Sequence, residues 1–182
     1  MTKTTVVGVG NPYLTDDAVG IRVVRLAQAM ASGATAQAEA DIAAAGECLC
    51  HIRFDEVYAG GLRLMDALEG FNRAIIVDAI IVENARPGRT YFLSETDFPA
   101  ARNLDCTHDA DLVSALRLGR SCGMALPTEI KVLAVEVLAE NTGVFGESLS
   151  PEIEAALPGA AQMVLAELWR TAPDSAVMKE HT

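Results

Sequence analysis

Two short runs of mostly aliphatic residues constrain the fold of this chain more than any other feature. Residues 74–79 and 130–137 lack the strict alternation of polar and apolar side chains that marks a strand with one solvated face. Runs of this kind are typical of strands that are buried on both faces of a parallel sheet, because such a sheet carries helices on each side. The sequence therefore predicts a central sheet between two helical layers.

Strand and helix signals alternate along the chain. Strands are predicted at 4–9, 52–58, 74–79, 90–93 as a candidate edge, and 130–137; helices are predicted from Asp16 to about Gly33, after Gly61 through Leu68, over 109–118, and from Ser150 onward. Ser150 is expected to cap the last helix, and Pro158 to kink or restart it. This order predicts an α/β fold, with three layers and a mostly parallel sheet.

The length of 182 residues favours one domain over two. We place it at 1–169 and expect 170–182 to form a solvated C-terminal tail. The alanine-rich stretch 34–50, which contains Cys48 and Cys50, is either a loop extension or an extra helix.

Composition excludes several classes of protein. The net charge of −11 disfavours nucleic acid and anionic membranes as partners. The longest apolar run, 74–82, contains Asp78 and is too short for a membrane helix, and the N-terminus lacks a signal-peptide core. We therefore expect a cytoplasmic protein with free thiols and no insertion into a membrane.

The first loop carries two adjacent carboxylates. It begins with Gly8-Val9-Gly10-Asn11 and ends at Asp16 and Asp17, where the first helix starts. A dinucleotide site would need a small residue where Tyr13 stands and a helix N-terminus that is free for phosphate. A nucleotide-binding enzyme is therefore a disfavoured alternative. The two aspartates have a simple structural interpretation as partners of the helix dipole.

Two further polar residues are expected at the same edge of the sheet. Asp78 ends a buried strand, and His108 lies in the turn before a helix. A buried carboxylate needs a hydrogen bond, a cation or an opposite charge, so Asp78 either caps a neighbouring element or serves a site. Together with the first-loop aspartates, Asp78 and His108 could form an oxygen-and-nitrogen metal site. Neither a Gly-x-Ser-x-Gly elbow nor a His-Glu-x-x-His pair is present.

The motifs taken together resemble those of the maturation endopeptidases of [NiFe] hydrogenases. The matching segments are Gly8-Val9-Gly10-Asn11, residues 14–20, residues 76–79, His108, and residues 149–152. The resemblance implies an α/β/α fold around a twisted, mainly parallel five-stranded sheet. It also implies a hydrolase of the aspartic-type group that removes a C-terminal extension from the hydrogenase large-subunit precursor after nickel insertion.

The resemblance also implies a set of functional residues. Asp17, Asp78 and His108 correspond to its metal-contacting trio, with Asp16 as the close competitor of Asp17. The donor set suits a borderline or hard divalent ion, and we expect it to complete the coordination of nickel that the substrate already carries. Either the carboxylates activate water as a general base or the nickel polarises the peptide bond.

One segment departs from the family pattern. Where the family usually has Asp-Gly-Gly-Thr, this chain has residues 56–61, in which Glu56 is the candidate for the catalytic carboxylate. The stretch 34–50 before it has the character of an insertion. An alternative function is a non-catalytic chaperone that checks for nickel in the same precursor by binding it through the same trio.

Overall fold

A computed structural model of the chain describes residues 2–45, 51–58, 62–94, 97, 105–106 and 112–170. The elements, in chain order, are β1 (Thr4–Val9), a 3₁₀ helix (Thr15–Ala18), α1 (Val19–Ala45), β2 (Ile52–Val57), α2 (Leu62–Leu68), β3 (Arg73–Ile81), β4 (Thr90–Ser94), β5 (Asp105–Cys106), α3 (Leu112–Ser121), β6 (Glu129–Glu136), α4 (Ala139–Thr142) and α5 (Pro151–Leu168). The predicted tail after residue 170 lies outside the described residues.

Five strands form the body of one sheet, in the order β2-β1-β3-β6-β4. β2, β1, β3 and β6 are parallel, and β4 pairs with β6 in the antiparallel direction at the edge. This arrangement confirms the predicted mainly parallel five-stranded sheet. The two-residue β5, which the sequence did not indicate, pairs with the end of β3 in the antiparallel direction.

The sheet is packed between two apolar cores. On one face, Val6, Ile75 and Leu133 pack with buried residues of α1 and α5. On the other face, Val7, Ile76 and Val132 pack with residues of α2 and α3. Neighbouring residues of each central strand thus belong to different cores, which is why these strands read as continuous apolar runs.

Helix α1 is longer than predicted. The expectation that it ends near Gly33 was wrong, because the helix continues to Ala45. The first part of the alanine-rich stretch is thus a continuation of α1, while residues 46–50 lie outside the described residues. Alanine has the highest helix propensity, so the many alanines around Gly33 offset the cost of about 1 kcal/mol for one glycine.

Helix α5 does not restart at Pro158, which excludes one of the two alternatives that we expected at this proline. It is one helix from Pro151 to Leu168, and both Pro158 and Glu154, one turn earlier, are exposed. The carbonyl that proline leaves without a helical donor can therefore be hydrated. Ser150 does stand at the N-cap position, but its side chain forms no capping hydrogen bond.

At the amino edge of the sheet, a cluster of ionised side chains connects α5 to β3 and β6. The guanidinium of Arg73 on β3 pairs with the carboxylates of Glu167 and Glu129, and Lys131 Nζ lies 2.9 Å from Glu167 Oε1. Burial raises the pKa of Glu167, but hydrogen bonds from Arg170 and Lys131 outweigh it and leave that pKa below its usual value. Arg73 and Glu167 are both buried, so this cluster joins β3, β6 and α5.

Across the ranges that the structure describes, no helix is both long enough and apolar enough to cross a membrane.

Candidate active site

The candidate site lies at the carboxyl ends of β1 and β3. After β1 the chain passes through α1 to β2 on one side of the sheet, whereas β4 and β6, which follow β3, lie on the other side. Where neighbouring connections diverge in this way, an open α/β sheet has a crevice that commonly binds ligands. The first-loop aspartates follow β1 and Asp78 lies on β3, so the fold brings these elements to the same crevice.

Glycines allow the start of α1 to lie directly on these strand ends. A Cβ at Gly20 would be 2.3 Å from the carbonyl oxygens of both Val9 and Val77. A Cβ at Gly10, whose φ is +147°, would be 2.0 Å from the carbonyl oxygen of Asp17. A larger residue at either position would push the first turn away from the sheet. The glycines of the motif thus set the distance between the 3₁₀ helix and the crevice.

Asp17 is buried and is held by the loop that precedes it. Its relative exposure is 1%, and its Oδ2 accepts a hydrogen bond of 2.8 Å from the backbone N–H of Asn11. The Oδ1 of Asn11 in turn accepts the N–H of Tyr13 at 3.1 Å, which closes a tight Asx turn. The Asn11 of the motif therefore orients the carboxylate of Asp17.

Asp16, the competitor of Asp17, has a different environment. Its Oδ1 accepts the backbone N–H of Ser150 at 2.6 Å, and its Oδ2 accepts the side-chain amide of Asn141 at 3.0 Å. Asp16 is fully buried, and both of its oxygens are engaged by groups on α4 and before α5. This geometry makes Asp16 a link between elements of the fold.

Asp78 lies inside β3 and not at its end, because the strand continues to Ile81 through pairing with β6 and β5. It is fully buried, and its Oδ1 accepts the N–H of Ala79 at 2.8 Å. β1 pairs with β3 only as far as Val77, whereas β5 pairs with Ile80 and Ile81. Asp78 therefore lies between the end of β1 and β5 along one side of β3.

His108, the third member of the predicted trio, lies outside the described residues. The preceding strand, β5, runs antiparallel to β3, with Cys106 opposite Ile80 and Asp105 opposite Ile81. Within the described part of the chain, no group of three or more His, Cys, Asp and Glu side chains is arranged to hold a metal ion.

Glu56, the predicted catalytic carboxylate of β2, forms a two-pronged ion pair. Its Oε1 and Oε2 accept hydrogen bonds of 2.7 and 2.8 Å from Arg25 on α1, and Oε2 also accepts the hydroxyl of Tyr58 at 2.8 Å. The hydrogen bonds from Arg25 hold the pKa of Glu56 below its usual value. Glu56 points to the face of the sheet that α1 covers. Val77 belongs to the core on that face, and Asp78, the next residue of β3, therefore points to the opposite face. The structure therefore does not bring these two carboxylates together.

An open cleft of about 300 Å³ lies beside the first turn of α1. Its walls include Pro12, Tyr13, Ala18, Ile21, Arg22, Arg25, Tyr58 and Glu147. At its rim the ring of Tyr13 stacks on that of Phe145, with 6.3 Å between the ring centroids, and Phe145 is 82% exposed. The cleft thus offers exposed aromatic rings and charged groups next to the 3₁₀ helix that carries Asp17.

Sequence reasoning missed Asn141 and Arg25, which hold Asp16 and Glu56 in place. α4 is a four-residue helix without a detectable period, so nothing marked Asn141 in advance. Arg25 lies on the polar face of the predicted first helix, where the sequence indicates only that its side chain is exposed to solvent. The only signal for this pair was an arginine on the helix that precedes the strand of Glu56, and such a signal is weak.

Comparison with known proteins identifies relatives of this chain. The family model for HycI hydrogenase maturation proteases matches residues 58–167. A hydrogenase 2 maturation protease of Escherichia coli (strain K12) is 29% identical over 169 residues, which span 90% of this chain and 88% of that protein. The sequence match therefore extends over most of both proteins.

Solved structures show the same fold. The hydrogenase maturating endopeptidase HybD from E. coli superposes with a TM-score of 0.66 and 26% identity, covering 91% of each chain. The [NiFe] hydrogenase maturation protease HybD from Thermococcus kodakarensis superposes with a TM-score of 0.65 and 20% identity, covering 91% of this chain and 98% of that one.

Proposed function

Since this chain belongs to the hydrogenase maturation proteases, we propose that it cuts a C-terminal extension from the large-subunit precursor of a [NiFe] hydrogenase, and does so after nickel insertion. The observation that carries this proposal is the position of Asp17 and Asp78, which are buried and flank the β1/β3 crevice. These are the two carboxylates that the resemblance assigns to the metal-contacting trio. The cytoplasm is the compartment we propose for the reaction.

The nickel in this proposal belongs to the substrate. Asp17 and Asp78 supply carboxylate oxygens and His108 an imidazole nitrogen, a donor set without thiolate that suits a borderline or hard divalent ion. Such a set completes the coordination of an ion that is already held elsewhere. Cleavage would then be conditional on loading, because a precursor without nickel offers the trio no ion.

The proposed reaction is hydrolysis of one peptide bond. A carboxylate of the site takes a proton from water while the water oxygen bonds to the peptide carbonyl carbon. The C–N bond then breaks, and the proton passes to the leaving nitrogen. Since Arg25 holds the pKa of Glu56 low, Glu56 is a weak general base, and its proposed contribution is to the cleft wall through Arg25 and Tyr58.

The trio is tested by processing assays on alanine variants. Asp17→Ala and His108→Ala should each abolish processing of nickel-loaded precursor, while circular dichroism and melting show a folded chain. Intact mass of the precursor before and after incubation is the readout. Normal processing by both variants would refute the role of the trio.

A chaperone that inspects the precursor without cutting it is the second candidate. It is favoured by one observation, namely that Glu56, at the position of the departure from the family motif, is engaged by Arg25 and Tyr58. A protease converts loaded precursor into two products of lower mass, whereas a chaperone forms a complex of unchanged components. Size-exclusion chromatography followed by mass spectrometry of each peak distinguishes them.

A further inference from the structure

Asp16 lies at the centre of a hydrogen-bonded clamp that joins three separate parts of the chain. The clamp consists of Asp16, its amide partner Asn141 on α4, and the backbone N–H of Ser150 that precedes α5. Thr15 adds a second contact, because its hydroxyl donates to the backbone carbonyl of Asn141. Asp16 and Asn141 are 125 positions apart, so the clamp is formed only in the folded chain.

The clamp acts directly on the short buried element that carries Asp17. The 3₁₀ helix has four residues, and no side chain caps its N-terminus. Asp17 is the next residue along this helix, and its carboxylate is fixed on the other side by Asn11. The first loop and the Asp16 clamp are therefore two of the contacts that fix the position of Asp17.

We infer that Asp16 and Asn141 are positioning residues, which act through the 3₁₀ helix to hold Asp17 where the substrate is cut. This inference rests on the proposed protease function. Residues that orient a functional side chain typically change affinity or activity by about 10- to 100-fold, and small displacements of a reacting group have effects of that size. Neither Asp16 nor Asn141 needs to touch the substrate for this role.

The test reverses the direction of one hydrogen bond. N141D places a second carboxylate 3.0 Å from Asp16, so two acceptors face each other. D16N in the same chain restores a donor and an acceptor, and the N–H of Ser150 keeps its acceptor. D16N alone should be mild, because the amide of Asn141 can turn to present its oxygen. The three variants thus form a double-mutant cycle.

The measured quantities are kcat and KM for cleavage of nickel-loaded precursor, together with the melting temperature. We expect N141D to lower kcat by about 10- to 100-fold with KM little changed, and the double variant N141D/D16N to recover kcat. Glu167→Gln is the matched control, because it weakens buried ion pairs between α5 and the opposite edge of the sheet. It should lower the melting temperature and leave kcat unchanged.

Three outcomes would overturn the inference. They are an unchanged kcat in N141D, a loss no greater than that of Glu167→Gln at a similar melting temperature, and a double variant that folds as the wild type does but stays inactive. Failure of the wild type to cut loaded precursor is a different result, because it removes the proposed function and the positioning role with it.

Discussion

Both edges of the sheet bury carboxylates, and those of the candidate site beside β1 and β3 are stabilised differently from Glu167 at the amino edge. At the amino edge, Glu167 is surrounded by the cations of Arg73, Lys131 and Arg170. At the carboxyl edge, Asp16 accepts hydrogen bonds from a backbone N–H and an amide, both neutral. Asp17 and Asp78 likewise each accept a backbone N–H.

This difference separates a structural cluster from a candidate site. An ion pair cancels the charges of its members. A buried carboxylate that is paired with cations therefore has little net charge with which to attract a ligand. Neutral dipoles fix a carboxylate in space while its negative charge persists, which is the preorganisation that a site for a cation or a reacting group requires. We therefore expect the Glu167 cluster to serve fold stability, and we propose that the chemistry takes place at the carboxylates beside β1 and β3.

The largest expected effect comes from Asp78→Asn. The amide fills the same space and its oxygen can keep the hydrogen bond from Ala79, so unfolding free energy should change by no more than about 1 kcal/mol. Cleavage of loaded precursor should slow by about 100-fold or more, since general-base groups contribute factors of this order. Mass spectrometry measures the rate and denaturant titration the stability. A variant that cuts at the wild-type rate would contradict a role for Asp78 in the reaction.

Arg73→Met should give the opposite pattern at the amino edge. Removing one member of a buried ion pair leaves Glu167 with less compensation, and we expect a loss of about 3 kcal/mol in unfolding free energy. The rate of cleavage at a temperature where the variant is folded should be unchanged. A fall in kcat comparable to that of Asp78→Asn would show that the two edges are not separable.

Two glycines of α1 have different surroundings and should therefore respond differently to substitution by alanine. Gly20→Ala places a methyl group 2.3 Å from two carbonyl oxygens at the crevice, and overpacking of this kind costs about 1–3 kcal/mol. Gly33→Ala meets no atom within 4 Å and should stabilise the helix by about 0.5–1 kcal/mol. Thermal melting of both variants is the measurement, and equal effects would contradict the close packing that we describe.

The smallest expected effect concerns the pair between Arg25 and Glu56, which is largely exposed at Arg25. Arg25→Gln should cost less than about 1 kcal/mol at neutral pH. Because the pKa of Glu56 is lowered from 4.5 in the folded chain, the pair contributes above that pH and its contribution fades as the pH falls through the lower folded value. The difference in melting temperature between variant and wild type should therefore shrink as the pH falls below 4.5.

Glu56 is expected to contribute less to cleavage than Asp78 does. Glu56→Gln should slow cleavage much less than Asp78→Asn does, because its carboxylate already serves Arg25 and Tyr58. A loss as large as that of Asp78→Asn would instead establish Glu56 as a catalytic carboxylate, as the sequence alone suggested.

The sequence predicted the sheet well because its signals are local. The aliphatic runs that became β3 and β6 and the turn before the edge strand β4 are visible within a few residues. The end of α1 was misplaced because a single glycine was given more weight than the alanines around it. β5 has two residues, too few for any periodic signal.

The sequence predicted which strands and loops carry the candidate residues, but it did not predict the hydrogen-bond partners of those residues. Position after β1 and on β3 was enough to select the first-loop aspartates and Asp78 as candidates, and their role stays a prediction. Sequence could not separate Asp16 from Asp17, because adjacent residues of a 3₁₀ helix point in different directions and only folding shows which one meets Asn141. The partners of Glu56 depend on the packing of α1 against β2, a tertiary distance that no local pattern contains.

The most direct test of the account compares two forms of one precursor. Nickel-loaded and nickel-free large-subunit precursor are incubated separately with the wild-type chain, and intact mass is followed over time. The account predicts that the loaded form loses its C-terminal extension and that the nickel-free form stays whole. Cleavage of both forms at the same rate, or of neither, would contradict it.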